Sequence, residues 1–301
     1  MELLTDPLRA VTTDSYNTLL VFDVDRQTIS SRTIEDAWAA VIEGIIGDLV
    51  VAQLYRTDLN QEPWFDLVLV DLAQGVPPAA RLTIQGDDVR WLGAASHWRE
   101  LPRFFAQHRR LSPEGETLVR LMEEPGQVQM TAIPDDMALR DGEWPLHMAE
   151  IPGDGIVLGR GRVGMGLVFY DPDLESVTTA VPLPGTMSAS ARPKARPGKS
   201  EIWVACVNTL VRIDGEERSV TGTLDAGHWG DYIADFAFDE GAQRCAVVLG
   251  RSGRVVDIDA ETFAVRGSTD TAESLTQIVL LEDGRFVGRT DEASFVVASL
   301  P

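Results

Sequence analysis

Lysine is almost missing from this chain. Of 26 basic residues only Lys194 and Lys199 are lysines, and 47 acids face them, which leaves a net charge of −21. Such a field repels phosphate backbones and anionic lipid surfaces, so nucleic acid and membrane are not expected as partners. A protein or a small molecule, neutral or cationic, is. The arginine bias fits a GC-rich genome better than adaptation to high salt, and the acidity by itself supplies solubility. Cysteine is equally scarce. Cys206 and Cys245 sit in the apolar runs IWVACVN and RCAVVLG with no CxxC spacing, and read as buried reduced thiols. No apolar run approaches the roughly 18 to 20 residues of a bilayer span. The opening MELLTDPLRA lacks the basic-then-apolar order of a secretory signal, so a cytoplasmic location is expected. Nucleophile-elbow, phosphate-loop, zinc-spacing and dinucleotide signatures are absent, and neither cofactor nor metal is expected. The glycines of GRGRVGMG, 159–166, connect two strands instead of opening a helix.

What is present is alternation. VVDIDAETFAVRG, 255–267, alternates apolar and polar, turns, and alternates again, and it is one copy of a repeat. Gly155, Gly198, Gly241 and Gly284 each open an apolar strand at a constant step of 43 residues, and Asp171, Asp214 and Asp257 close a second strand at the same step. Two independent markers with one period, four short strands per unit and no helix, predict a β-propeller. In the amino-terminal half Gly47 and Asp71 occupy the same two positions, while a third unit has Pro102 where its glycine should be. Seven segments read as third strands: LLVFDVD, LVLVDLA, TLVRLME, LVFYDPD, TLVRIDG, VVDIDAE and SFVVASL. They predict one all-β domain over 1–301, a closed propeller of seven four-stranded blades, with six as the alternative count. Since the last unit ends at its third strand, Met1–Arg9 is expected to supply the missing one and join the first and last blades.

The carboxy-terminal half, above all IADFAFDEGAQRCAVVLGRSGRVVDIDAETFAVRG, resembles the blades of the WD40-like and YVTN-type β-propeller superfamily. The resemblance implies a fold. The Gly-His and Trp-Asp pairs of WD40 blades are absent, so their hydrogen-bond network does not carry over, and fold alone does not assign function.

Four tryptophans, Trp38, Trp91, Trp144 and Trp229, fall between the last strand of one unit and the first of the next. In propellers such connections surround the channel mouth. Asp36, Asp88, Glu143 and Asp231 lie close in sequence, and so do His97, His147 and His228. Indole faces beside carboxylates suit a cationic or amphipathic organic ligand. The bland alternative is that these rings plug gaps between sheets; Trp64 and Trp203, within or beside strands, read as packing. The leading functional expectation is a binding propeller. The runner-up is a lyase, hydrolase or cyclase in the channel mouth, with His97, His147 or His228 as acid or base and Asp36, Glu143 or Asp231 stabilising charge. DVD (23–25), DPDLE (171–175) and DIDAE (257–261) could ligate calcium but recur where an Asp caps a turn. The basic run GTMSASARPKARPGKS, 185–200, reads as a hairpin loop that could dock an acidic partner.

Overall fold

The computed structural model describes residues 1–5, 8–14, 16–34, 37, 39–55, 64–72, 78–107, 117–132, 147–151, 155–159, 167–171, 176–185 and 192–301. The chain divides into two compact units, Met1–Ile133 and Pro134–Pro301. Among the described residues it forms seven separate antiparallel sheets, and the seven predicted third-strand segments fall one in each.

In the first unit, Glu2–Thr5, Leu8–Thr13, Thr18–Asp23 and Thr28–Thr33 make the first sheet in chain order. The amino-terminal segment is therefore the first strand of its own sheet, pairing Glu2 with Val11 and Leu4 with Arg9, and is not a strand added to the seventh. A four-residue strand and one of ordinary six-residue length both fit before Thr18. The second sheet has five strands, because Asp88–Leu92 adds beyond Ala80–Gln85. The third has three, Phe104–Gln107, Thr117–Leu121 and Val128–Ala132, and is preceded by an unexpected helical turn, Ala95–Glu100, that buries Trp98.

In the second unit the fourth sheet starts with His147–Ile151, the fifth with Lys194–Ala195 and the sixth with Ile233–Phe238. Each has four strands. The seventh has three: Leu275–Leu280, Arg285–Thr290 and Phe295–Ser299. Among the described residues, no helix is long and apolar enough to cross a membrane.

The core explains why strands such as Glu201–Cys206 are apolar at nearly every position. Successive side chains point to opposite faces, and both faces are covered. Trp203 and Ala205 join one cluster with Ile233, Phe236, Cys245 and Val247 of the sixth sheet. Ile202, Val204 and Cys206 join another with Leu167 and Phe169 of the fourth. Ala246 and Val248 face the seventh sheet in the same way. Last strands are different: Thr28–Thr33 is exposed throughout, and Ser219–Asp225 nearly so.

The repeat markers shift slightly. Gly198 and Gly284 adopt left-handed backbone, with φ of +70° and +82°, as tight turns demand. In the sixth sheet Ala242, not Gly241, takes that conformation. Asp257 is likewise not the strand end. It lies inside Arg254–Asp259, buried and bonded to Arg244, while Asp259 closes the strand.

Candidate functional site

The connection from Asp225 to Ile233, between the fifth and sixth sheets, is built from its own side chains. Asp225 Oδ1 accepts the Gly227 N–H at 2.7 Å, an Asx turn that starts the single 3-10 turn Gly227–Trp229. Ala226 is fully buried and donates its N–H to Asn208 O. Gly230, left-handed at φ +70°, ends the turn, and the Ile233 N–H then reaches Val207 O at 2.8 Å. The loop is thus stitched to the hairpin turn at Val207–Asn208.

Asp231 locks the next hairpin. Its carboxylate accepts the N–H groups of Tyr232 at 2.7 Å, Arg251 at 3.0 Å and Ser252 at 2.8 Å. Burial pushes its acidity the other way, but these donors outweigh burial and hold the carboxyl below its ordinary range.

On this scaffold His228 and Trp229 stand together, ring centroids 4.0 Å apart. His228 is exposed, and its Nδ1 lies 2.5 Å from Asp225 O, so Nδ1 is the protonated nitrogen. Trp229 is half in and half out, packed on the cluster around Trp203. Val207 beside the loop is 45% exposed.

In the first unit Trp91 belongs to the fifth strand of the second sheet, not to a connection. Its indole meets Trp98 edge to face at 5.1 Å, and Trp98 Nε1 donates to Met122 O. A Cβ on Gly93 would fall 2.4 Å from Ala80 Cβ and 2.9 Å from the Trp91 ring, so only glycine permits this packing. His97 lies in the helical turn; its Nδ1 and Trp91 Nε1 are shut from solvent without hydrogen-bond partners. Asp88 pairs with Arg90 at 2.5 Å. His147 opens the first strand of the fourth sheet, opposite Gly159. Trp38, Trp144, Asp36 and Glu143 lie outside the described residues. Neither His97 nor His228 bonds a carboxylate among them, which is the pairing that acid–base chemistry at the mouth would use.

Other expectations resolve locally. Asp23, Asp214 and Asp259 each cap the turn that follows: Asp214 accepts from Glu216 and Glu217, and Asp259 from Glu261 and Thr262. Arg266, and then Thr262, holds the Asp259 carboxyl well below the usual carboxylate range. The basic run is not a loop throughout, since Lys194–Ala195 is the fifth sheet's first strand. Lys194 Nζ bonds Asp235 at 3.0 Å, and Arg196, 2% exposed, donates to Ala242 O and Glu261, each at 3.0 Å. These cations therefore already have acidic partners inside the molecule. Both cysteines are free and buried; burial pushes the Cys206 thiol up to about 11 against a smaller lowering by the Gly185 backbone, and burial likewise raises Cys245. Val207 went unpredicted, because an apolar residue at a strand end carries no sequence mark of exposure.

No protein-family model and no curated protein matches the sequence. Solved structures do. The β-propeller domain of Cps50 (Swd1) from Myceliophteria thermophila superposes with a TM-score of 0.65 at 10% identity, covering 97% of this chain and 93% of that one. Sqt1 from Saccharomyces cerevisiae gives 0.61 at 10%, covering 99% and 83%. A chain of the Mitotic Checkpoint Complex gives 0.54 at 8%, covering 97% and 83%.

Proposed function

Starting from a chain that has a WD40-like β-propeller fold, we propose that it is a binding scaffold whose seven sheets are the blades of one closed ring and whose partner is a protein. One of the similar chains comes from the structure of the Mitotic Checkpoint Complex, which agrees with this reading. The contact face is the connection between the fifth and sixth sheets that carries Trp229, with the Asp225 carboxylate beside it.

The observation that carries it is the Asp225–Ile233 connection. His228 and Trp229 are held by hydrogen bonds from both flanks, beside an exposed Val207, with the exposed Asp225 carboxylate next to them. Groups fixed in this way lose little conformational entropy on binding, so contact made there is retained as affinity.

Two measurements test the proposal. Affinity capture with the wild-type chain should recover a protein in 1:1 proportion, and Trp229→Ala with Val207→Ser should weaken that complex at least tenfold at a temperature where melting curves show the variant fully folded. Tryptophan fluorescence against a panel of metabolites should stay unchanged. Quenching by one small molecule, abolished by Trp144→Ala and Trp229→Ala, together with no recovered protein, would replace the protein partner by a channel ligand.

A further inference from the structure

The last strand of the fifth sheet, Ser219–Asp225, is a sheet border of unusual composition. Its sequence, SVTGTLD, contains no lysine, arginine or proline, the residues that commonly blunt a strand edge. Val220 is 42% exposed, and Ser219, Thr221 and Thr223 are exposed beside it. Among the described residues no strand lies beyond it. The equivalent strand of the sixth sheet is guarded: Arg266 pairs with Asp259, Asp270 pairs with Arg254, and Thr269 bonds Ser299 O.

The second sheet shows what such a border accepts. There Asp88–Leu92 adds as a fifth strand to Ala80–Gln85, with Gln85 opposite Asp88 and Arg81 opposite Leu92.

Charge selects the occupant. Glu216 and Glu217 stand exposed before the strand, Arg218 between them and the strand lies over the Phe169 ring, and Asp225 closes it. A second copy of this strand, laid antiparallel, would set acids against acids at both ends, which is destabilising across a ladder. A segment with β-branched residues at its centre and lysine or arginine at its ends meets opposite charge at both. We propose that the fifth sheet takes up such a basic, extended segment of a partner protein as an added strand, main-chain hydrogen bonds giving affinity and the flanking acids giving direction and selectivity. The inference rests on the molecule being a binding scaffold but concerns a strand border that adjoins the Trp229 connection only at Asp225.

The test uses a displayed library of random twelve-residue peptides selected on the intact protein. Enriched peptides should be rich in Val, Ile and Thr with flanking Lys or Arg. At saturation the best should slow amide exchange within 219–225 at least tenfold, a signature that side-chain docking alone does not produce. Val220→Lys with Thr223→Lys, both at exposed positions, and separately Glu217→Lys, should each weaken binding about tenfold, equivalent to about 1.4 kcal/mol, without lowering the melting temperature. Enrichment of acidic peptides, or of none, overturns the proposal. Peptides that protect Gly227–Asp231 instead overturn it while leaving the scaffold reading intact, and self-association abolished by Val220→Lys would assign the border to a second copy.

Discussion

Asp231 shows how much one carboxylate does here. It fell within the acid set expected near a ligand, and in the structure its two oxygens are occupied by backbone N–H groups from two segments. Asparagine offers one carbonyl oxygen and no charge, so Asp231→Asn should cost about 1–3 kcal/mol at neutral pH. The sign of the pH dependence follows from the lowered pKa of this carboxyl. A carboxyl depressed in the folded state adds stability above its unfolded value of about 4, and loses that contribution as pH falls through the folded value. Thermal melts from pH 7 to pH 2 should therefore show the gap between wild type and Asp231→Asn narrowing below about pH 4. A gap constant down to pH 2 would mean that the charge adds nothing beyond the hydrogen bonds.

Among the described elements, the fifth sheet's first strand is the shortest, with two residues paired to Ile202 and Trp203. So small a ladder is held mainly through side chains. Lys194 reaches Asp235 and Phe236 O on the sixth sheet and lies 5.0 Å over the Phe236 ring. Asp235, 4% exposed, also accepts the Ile278 N–H of the seventh sheet, so one carboxylate ties three consecutive sheets. Removing the cation alone strands a buried charge, and Lys194→Met should cost about 3 kcal/mol by chemical denaturation. Lys194→Met with Asp235→Asn keeps the acceptor for Ile278 and removes the stranded charge, so the double variant should recover more than half of that loss. Equal losses in single and double variants would show that packing, not charge, holds the strand. Phe263 is a second inter-sheet contact. Its left-handed backbone, at φ +61°, is a strain a bulky residue adopts only where packing compensates. The ring wedges edge-on against Trp203 at 4.7 Å, with the Arg212 guanidinium above it.

For the whole molecule the governing quantity is the charge of −21. Described ion pairs such as Arg254–Asp270 and Arg285–Asp283 compensate few of the 47 acids. Self-repulsion should dominate the salt response. Raising salt from about 0.01 M to about 0.1 M shortens the screening length from ~30 Å to ~10 Å. The melting temperature should rise by about 2–4 °C over that range, the shift of about 1 kcal/mol for a chain this long, and then flatten. A steep climb continuing to molar salt would assign the acidity to life in brine instead of to solubility.

The sequence by itself determined the all-β class, the 43-residue period and one strand segment in each of the seven sheets, the third strand in six of them. These depend on alternation and turn chemistry among near neighbours, and a local pattern is complete in the local sequence. Cys206, Cys245 and Trp203 could be read as buried for the same reason: a strand apolar at every position must have both faces covered. The tertiary structure alone decided the rest. That Lys194 and Arg196 serve acids of the next sheet, that Asp231 clasps a hairpin twenty residues away, that Met1–Arg9 stays within the first sheet and that Trp91 sits on an added strand are pairings between distant segments. Single-chain periodicity says which face a side chain occupies, but not which partner the folded chain brings against it.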